Sequence, residues 1–288
     1  MITFPCAKIN LGLNVVSKRE DGYHNLETVF YPIPLCDALE IRTMHQDFPS
    51  ESPCDIKVTY SPSLETPADW REMEGESNLV VKAYRLLAAD FKLPRVHVHL
   101  YKRIPSQAGL GGGSSDAASM IRLLDERYRL NIGNAEMERY AARLGADCPF
   151  FITSEPAFAT GVGDILVPAD SPRGNLHGYW LTVVKPPISI STREAYQAIT
   201  PNKPGKCCRD IVREPIDTWR EQLTNDFEGA LFERYPQLSQ IKDKLYELGA
   251  VYAQMSGSGS ALFGIFKEYP DLSIVNSFPS AVVETMKL

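Results

Sequence analysis

The stretch Pro105-Ser-Gln-Ala-Gly-Leu-Gly-Gly-Gly-Ser-Ser-Asp-Ala-Ala118 limits what this chain can fold into more than any other. Gly109, Gly111, Gly112 and Gly113 fall within five positions, so the backbone can take positive φ and keeps side chains away from its own N–H groups. Ser114, Ser115 and Asp116 are helix-capping types, and Ala117, Ala118, Met120, Ile121, Leu123 and Leu124 behind them read as a buried helix. The apolar run 95–103 reads as a strand leading straight into the loop. A glycine loop feeding a helix N-terminus gathers amides at the positive end of the helix dipole, which suits an anion and phosphate above all.

Two common phosphate loops do not fit. A Walker A loop needs a lysine after its last glycine, and Gly113 is followed by Ser114. The dinucleotide fingerprint G-x-G-x-x-G, counted from Gly109 or Gly111, ends on Ser114 or Asp116. The ordinary alternative is a glycine turn ahead of a helix, but few turns place so many glycines before cap serines.

Local groups must hold any anion, because the net charge is −6 and no strongly basic block is present. Nucleic acid is therefore not an expected partner. With 288 residues, 44% apolar and 23% charged, the chain has room for two globular domains. Its six cysteines form no C-x-x-C pair, and adjacent Cys207 and Cys208 are poorly placed to bridge each other. Reduced thiols in a reducing compartment are the expectation. No apolar run reaches membrane-spanning length and Lys8 interrupts any signal-peptide core, so the expected location is cytoplasmic, without a membrane partner.

Residues 5–16 alternate cleanly, with Ala7, Ile9, Leu11, Leu13 and Val15 on one face and Lys8, Asn10, Gly12 and Asn14 on the other. On its own, such a polar face reads as the solvated side of a sheet. An Asp21-Gly22 turn and a second alternating run, Leu26 to Ile33, predict a paired strand. Further strands are expected at 39–42 and 56–60, then an exposed acidic excursion at 63–76 and a helix from 79 to about 91. His97 and His99 share a strand face, but no third ligand is apparent, so a solvent-facing pair is the expectation. Lys102 and Arg103 stand just before the loop, where a cation could reach nucleotide phosphates or base.

A helix at 135–144 stopped by Gly145 is followed by Asp147-Cys-Pro-Phe-Phe-Ile, read as turning into a strand. Gly161–Asp164 reads as a hairpin and Pro172–Asn175 as a domain connection. The second half predicts a strand at 179–184 and helices at 192–199, 225–235 and 238–248. Strands at 251–254 and 261–266 follow, then a helix at 272–278 and a last strand at 281–286. This α+β order, ending β-β-α-β, suits an open sheet with helices on one face.

Phosphoryl transfer needs a phosphate cradle, Mg²⁺, a cation near the acceptor and a carboxylate for the attacking hydroxyl. The glycine loop supplies the first. Lys8 could supply the cation and Asp147 the carboxylate, although each has an ordinary structural reading when taken alone.

The pattern P-x-x-x-G-L-G-G-G-S-S-x-A-A resembles the nucleotide loop of the galactokinase, homoserine kinase and mevalonate kinase superfamily. Ala7-Lys-Ile-Asn-Leu11, Asp21-Gly-Tyr-His24, Gly145-Ala-Asp-Cys-Pro149 and Met255-Ser-Gly-Ser-Gly259 accompany it in order along most of the chain. Together they resemble the branch that phosphorylates 4-diphosphocytidyl-2-C-methyl-D-erythritol in non-mevalonate isoprenoid precursor synthesis. The resemblance implies a two-domain α+β small-molecule kinase: an ATP-binding domain over 1–172 with a left-handed β-α-β unit, and a ferredoxin-like C-terminal domain over 173–288. It implies phosphate transfer from ATP, with Mg²⁺, to the 2-hydroxyl of this cytidine-diphosphate-linked polyol. Lys8 and Asp147 become the catalytic pair. Pro105, Ala108, Gly109, Leu110, Gly111, Gly112, Gly113, Ser114 and Ser115 become the ATP loop, with Asn78 and Lys102 on the adenine side. Tyr23, His24 and Tyr196 become the cytidine pocket, with Asn10 and Thr192 also on the acceptor side. No protein metal ligand is assigned, and the oligomeric state is left open.

Cys6 and Cys148 replace other small residues expected in these motifs, and 63–76 reads as an insertion. A homoserine or mevalonate kinase is the enzyme alternative, which Tyr23-His24 opposes because those acceptors carry no base. A catalytically dead ATP-binding protein is the other alternative, which the presence of both Lys8 and Asp147 opposes.

Overall fold

The computed structural model describes residues 1–66, 72–169, 171–202, 205–271 and 273–288. Its first elements are β1 (Ile2–Thr3), β2 (Cys6–Lys18), β3 (His24–Cys36), β4 (Ala38–Thr43), β5 (Cys54–Tyr60), α1 (Leu79–Ala88) and β6 (Val96–Lys102). Then come α2 (Gly112–Tyr128), α3 (Asn134–Ala142), α4 (Phe150–Thr153), β7 (Ala157–Thr160), β8 (Ile165–Pro168), α5 (Ser171–Leu176) and β9 (Trp180–Lys185). The remainder is α6 (Thr192–Ala198), α7 (Cys208–Ile211), α8 (Trp219–Gln222), α9 (Phe227–Arg234), α10 (Pro236–Glu247), β10 (Tyr252–Met255), β11 (Leu262–Phe266), α11 (Ser273–Asn276) and β12 (Val282–Lys287). Two compact units form, neither continuous in sequence. Met1–Ala7, Leu35–Ile104 and Gly111–Ser154 make the first; Lys8–Pro34, Pro105–Leu110 and Glu155–Leu288 make the second.

In the first unit the sheet order is β1-β4-β6-β5. β4 runs antiparallel to β6, while β5 runs parallel to it with Ile56 opposite Val98. Parallel neighbours cannot be joined by a tight turn, and α1 is the connection between them. Val80, Val81, Ala83 and Leu87 of α1 are buried, as are Ala117, Ala118, Met120 and Ile121 of α2, at the spacing of a helix face. His97 bonds Asp55 at 2.7 Å and His99 bonds Thr59 at 2.8 Å, so both imidazoles are occupied by neighbours on β5 rather than by water alone. The strand expected after Asp147 is instead α4, with Phe150, Phe151 and Ile152 buried. A short apolar run has no period long enough to separate a strand from a buried helical turn.

The second unit holds two sheets, β2-β3-β7-β8 and β10-β11-β9-β12. In the latter all three pairings are antiparallel, with Val184 between Leu262 and Val283. The run β9-helices-β10-β11-α11-β12 with its first strand beside its last is the ferredoxin-like order. Phe227, Leu231, Leu238 and Leu245 from α9 and α10 pack with Val184, Met255 and Leu262 in its core. The β7–β8 hairpin turns at Gly161–Asp164 as its glycines predicted. Residues 172–175, read as a connection, lie within α5. Leu272 of the predicted helix 272–278 and residues 67–71 of the predicted excursion lie outside the described residues. Among the described residues no helix is long and apolar enough to cross a membrane, and all six cysteines are free.

β2 departs most from its sequence reading. Lys8, Asn10 and Asn14, expected on a solvated face, are 3%, 2% and 5% exposed. Both faces of this strand are interior, and the polar one is furnished with partners.

Candidate active site

In the second unit, the Lys8 ammonium donates to Asn10 Oδ1 at 2.7 Å and to the Gly109 carbonyl at 2.9 Å. It also lies 5.0 Å from the centre of the Phe30 ring. Asn10 Nδ2 donates to Thr28 Oγ1 at 2.9 Å, and the Thr28 hydroxyl donates to the Gly12 carbonyl at 2.6 Å. A buried ammonium is tolerated when its protons find acceptors, and this chain of amide and hydroxyl supplies them.

The first half of the glycine loop belongs to the same unit, with Pro105, Ala108 and Leu110 buried. Gly109 has φ +73°, and a Cβ there would lie 2.0 Å from the Ser256 carbonyl oxygen. Close backbone approach therefore demands glycine at this position. Ser256 Oγ donates to the Gly109 carbonyl at 2.9 Å, and the Ala261 amide donates to the Ala108 carbonyl at 3.2 Å. The Met255–Gly259 motif thus forms the seat of the loop.

The second half of the loop opens α2 in the first unit. Gly111 caps the helix at φ +71° with no side-chain cap bond. Among the described residues no N-cap side chain occupies the first-turn amides of Gly112, Gly113 and Ser114, an arrangement that suits an anion. Lys102 differs from its expected adenine-side role. It is 3% exposed, and its ammonium donates to Asp37 and, at 2.6 Å, to Asp116. Asp37 Oδ1 also accepts the amides of Arg103 at 2.5 Å and Ile104 at 2.8 Å. Burial alone would lower the Lys102 pKa, but Asp116 and Asp37 more than reverse this and raise it. Burial pushes Asp116 well up, with the Asp37 charge adding and Lys102 opposing. Lys102 fastens the end of β6 to Asp37 and to Asp116 of α2, all within the first unit.

Asn78 is likewise employed in the fold: its Oδ1 accepts the Val80 amide at 2.8 Å and caps α1, while Nδ2 donates to the Met73 carbonyl at 2.6 Å. Asp147 is half-buried in the turn between α3 and α4, where the Cys148 amide donates to the Gly145 carbonyl at 3.1 Å. Burial pushes the Cys148 thiol up to about 11, against a hydrogen bond with Ser114.

In the segment expected on the acceptor side, Gly22 takes φ +86° and Asp21 Oδ1 accepts the Tyr23 amide at 3.0 Å. His24 stacks on Tyr196, ring centres 4.9 Å apart and 20° between planes, and Phe227 meets Tyr196 edge-on at 5.0 Å. Tyr23, expected to stack the base, is 65% exposed, while His24, expected at the edge, faces the second aromatic. Burial, helped by the Lys18 charge, pushes the His24 pKa down and favours the neutral ring. Thr192 opens α6, exposed, beside the Ser191 cap that accepts the Glu194 amide at 3.1 Å.

Thr28, Asp37, Asn225 and Ser256 escaped the sequence reading. Ser256 lay inside a motif already singled out, and Asn225-Asp226 stands before a helix as a capping pair does. Thr28 and Asp37 carry no local signal. Among the described residues, no group of three or more His, Cys, Asp or Glu side chains is placed to hold a metal.

The chain matches the family description "GHMP kinases N terminal domain" over residues 78–155 and "GHMP kinases C terminal" over 209–283. A 4-diphosphocytidyl-2-C-methyl-D-erythritol kinase of Bacteroides fragilis is 52% identical over 269 residues, covering 92% of each chain. One of Bacteroides thetaiotaomicron is 50% identical, covering 93% of this chain and 92% of the relative. A crystal structure of 4-(cytidine 5'-diphospho)-2C-methyl-D-erythritol kinase superposes with TM-score 0.78 at 31% identity, covering 100% of both chains. The Methanococcus jannaschii mevalonate kinase, at 12% identity and TM-score 0.70 over 99% of this chain and 96% of its own, shares the fold.

Proposed function

Because this chain belongs to the 4-diphosphocytidyl-2-C-methyl-D-erythritol kinase family of the GHMP kinases, we propose that it moves the γ-phosphoryl group of ATP to the 2-hydroxyl of that cytidine-linked polyol. The product enters non-mevalonate isoprenoid precursor synthesis, and the enzyme works in the cytoplasm. Residues 1–172 are assigned to the ATP-binding kinase domain and 173–288 to the ferredoxin-like domain.

The uncapped first turn of α2 and the glycine loop receive the phosphates. Mg²⁺ prefers oxygen ligands and keeps most of its shell as water and substrate phosphate. The Cys148 thiol, which burial pushes up to about 11, stays protonated at neutral pH and would not compete for the ion. When bound, the ion neutralises charge on the phosphate oxygens. Lys8 places a cation at the acceptor, held by Asn10 and the Gly109 carbonyl. Asp147 receives the hydrogen bond of the attacking hydroxyl and takes its proton as the new O–P bond forms and ADP leaves.

One observation carries the choice of acceptor: the His24–Tyr196 stack, an aromatic site that a polyol without a base has no use for. Phosphorylation assays with the cytidine-linked acceptor, its uridine analogue, homoserine and mevalonate test the reading. Turnover of homoserine or mevalonate in preference to the cytidine compound would overturn it. Asp147→Asn and Lys8→Ala should each lower kcat by about 10² or more. The double variant should be little worse than either single one, since groups acting as a unit are not additive.

A further inference from the structure

The segment Thr224-Asn-Asp-Phe-Glu228 has no part in the chemistry above, yet it is hydrogen-bonded to two pieces of the second unit's site, the Met255–Gly259 turn and β2. Asn225 is 3% exposed, and its amide nitrogen donates to the carbonyls of Met255 and Gly257, both at 2.8 Å. Its Oδ1 accepts the Phe227 amide at 3.0 Å, so the whole side-chain amide is engaged. Glu228 Oε1 accepts the Met255 amide at 2.8 Å, and Lys242 donates to Oε2 at 2.6 Å.

On its other side the segment is stitched to β2. The Leu13 amide donates to the Thr224 carbonyl and the Asp226 amide to the Leu13 carbonyl, both at 2.9 Å, and Val15 N–H donates to Asp226 Oδ2 at 2.7 Å. β2 carries Lys8 and Asn10. The Met255–Gly259 turn, in turn, is the seat of Gly109.

We infer that Asn225 is a positioning residue for phosphoryl transfer: it fixes the Met255–Gly257 backbone so that the Gly109 carbonyl meets Ser256 and Lys8 together. This inference rests on the proposed kinase reading. Asparagine suits the task because one amide group offers two donors in a plane and an acceptor behind them. Two carbonyls a residue apart accept from it while Oδ1 holds the start of α9. Aspartate at this place would set one carboxylate oxygen, in the place of Nδ2, against two carbonyl oxygens. The turn would be pushed off Gly109, and with it the acceptor shared by Lys8 and Ser256.

The test compares binding of a non-hydrolysable ATP analogue with thermal midpoint in the full chain. Asn225→Asp should weaken analogue binding at least tenfold at a temperature where circular dichroism shows the variant folded. Ser256→Ala, which removes one bond to the Gly109 carbonyl, should weaken it about threefold. The double variant should be no worse than Asn225→Asp within a factor of two, since both act through one turn. Asn225→Asp with a lowered midpoint but analogue affinity within twofold of the parent would make Asn225 structural only and overturn the inference. If Asn225→Asp fails to fold, Ser256→Ala decides alone, and unchanged affinity there overturns it. Failure of the parent protein to bind the analogue would overturn the kinase reading instead, a separate result.

Discussion

At the scale of single residues, the site is built from atoms whose hydrogen-bonding capacity is nearly used up within the fold. The Gly109 carbonyl takes Lys8 and Ser256 together, and the Lys8 ammonium is divided between that carbonyl and Asn10. Gly109→Ala should therefore fail in two ways, by left-handed strain of about 1–2 kcal/mol and by a Cβ 2.0 Å from the Ser256 oxygen. Nucleotide affinity should fall at least tenfold, readable by calorimetry with an ATP analogue. The His24 imidazole makes a different prediction. Stacked aromatic pairs contribute about 0.5–1.5 kcal/mol beyond their burial. A cytosine taking one of the two ring faces would replace this contact in kind. His24→Ala should raise KM for the cytidine-linked acceptor and erode its preference over the uridine analogue, with KM for ATP within twofold. A preference left intact would place base recognition elsewhere.

At the scale of elements, the lysines that end two strands show what pattern reading can and cannot reach. Lys102 stands just before the loop in the sequence, but nothing local announces Asp37 and Asp116 as its partners, since they are 65 and 14 residues away. Removing the ammonium by Lys102→Met leaves two buried carboxylates facing each other and should cost about 3–5 kcal/mol, measurable by urea unfolding. β2 shows the same limit: period two separated its faces, yet the polar face finds its partners in Thr28, Gly109 and Ser256 from other parts of the chain. Helices with a clear apolar period, α1, α2 and α10, were legible to within a few residues. α4 was not, because four residues are too few to carry a period. β9 ends in Lys185, 8% exposed, donating to the carbonyls of Pro186 and Ile188 at 2.8 Å each. Burial pushes its pKa from 10.5 down to about 8. Between those values the unfolded chain holds a proton that the folded one has lost, so this group makes stability rise with pH across that window. Lys185→Met should remove the rise, seen as a flatter denaturation midpoint between pH 8 and 10. Equal pH slopes in parent and variant would disprove it.

At the scale of the whole molecule, the glycine loop, A-K-I-N-L and D-G-Y-H motifs were enough to anticipate the family, while most hydrogen bonds that seat them were not visible. The reason is distance along the chain: Gly12 N–H donates to Gln254 across 242 residues and Ser256 to Gly109 across 147. Contacts so far apart form late, because loop closure must be met before they add anything. A ribosome delivers the β2 strand long before the turn that completes its surroundings. Until residues 254–257 are made, the Gly12 amide and the Asn225 side chain lack their native acceptors and the Gly109 carbonyl lacks Ser256. Refolding from urea should show the same order: far-ultraviolet ellipticity recovering first, and fluorescent-nucleotide binding returning in a slower phase. Simultaneous recovery would mean that the turn closes with the rest. A cell making this protein would gain its activity only once the turn around Ser256 has been made, with no partly active fragment before it.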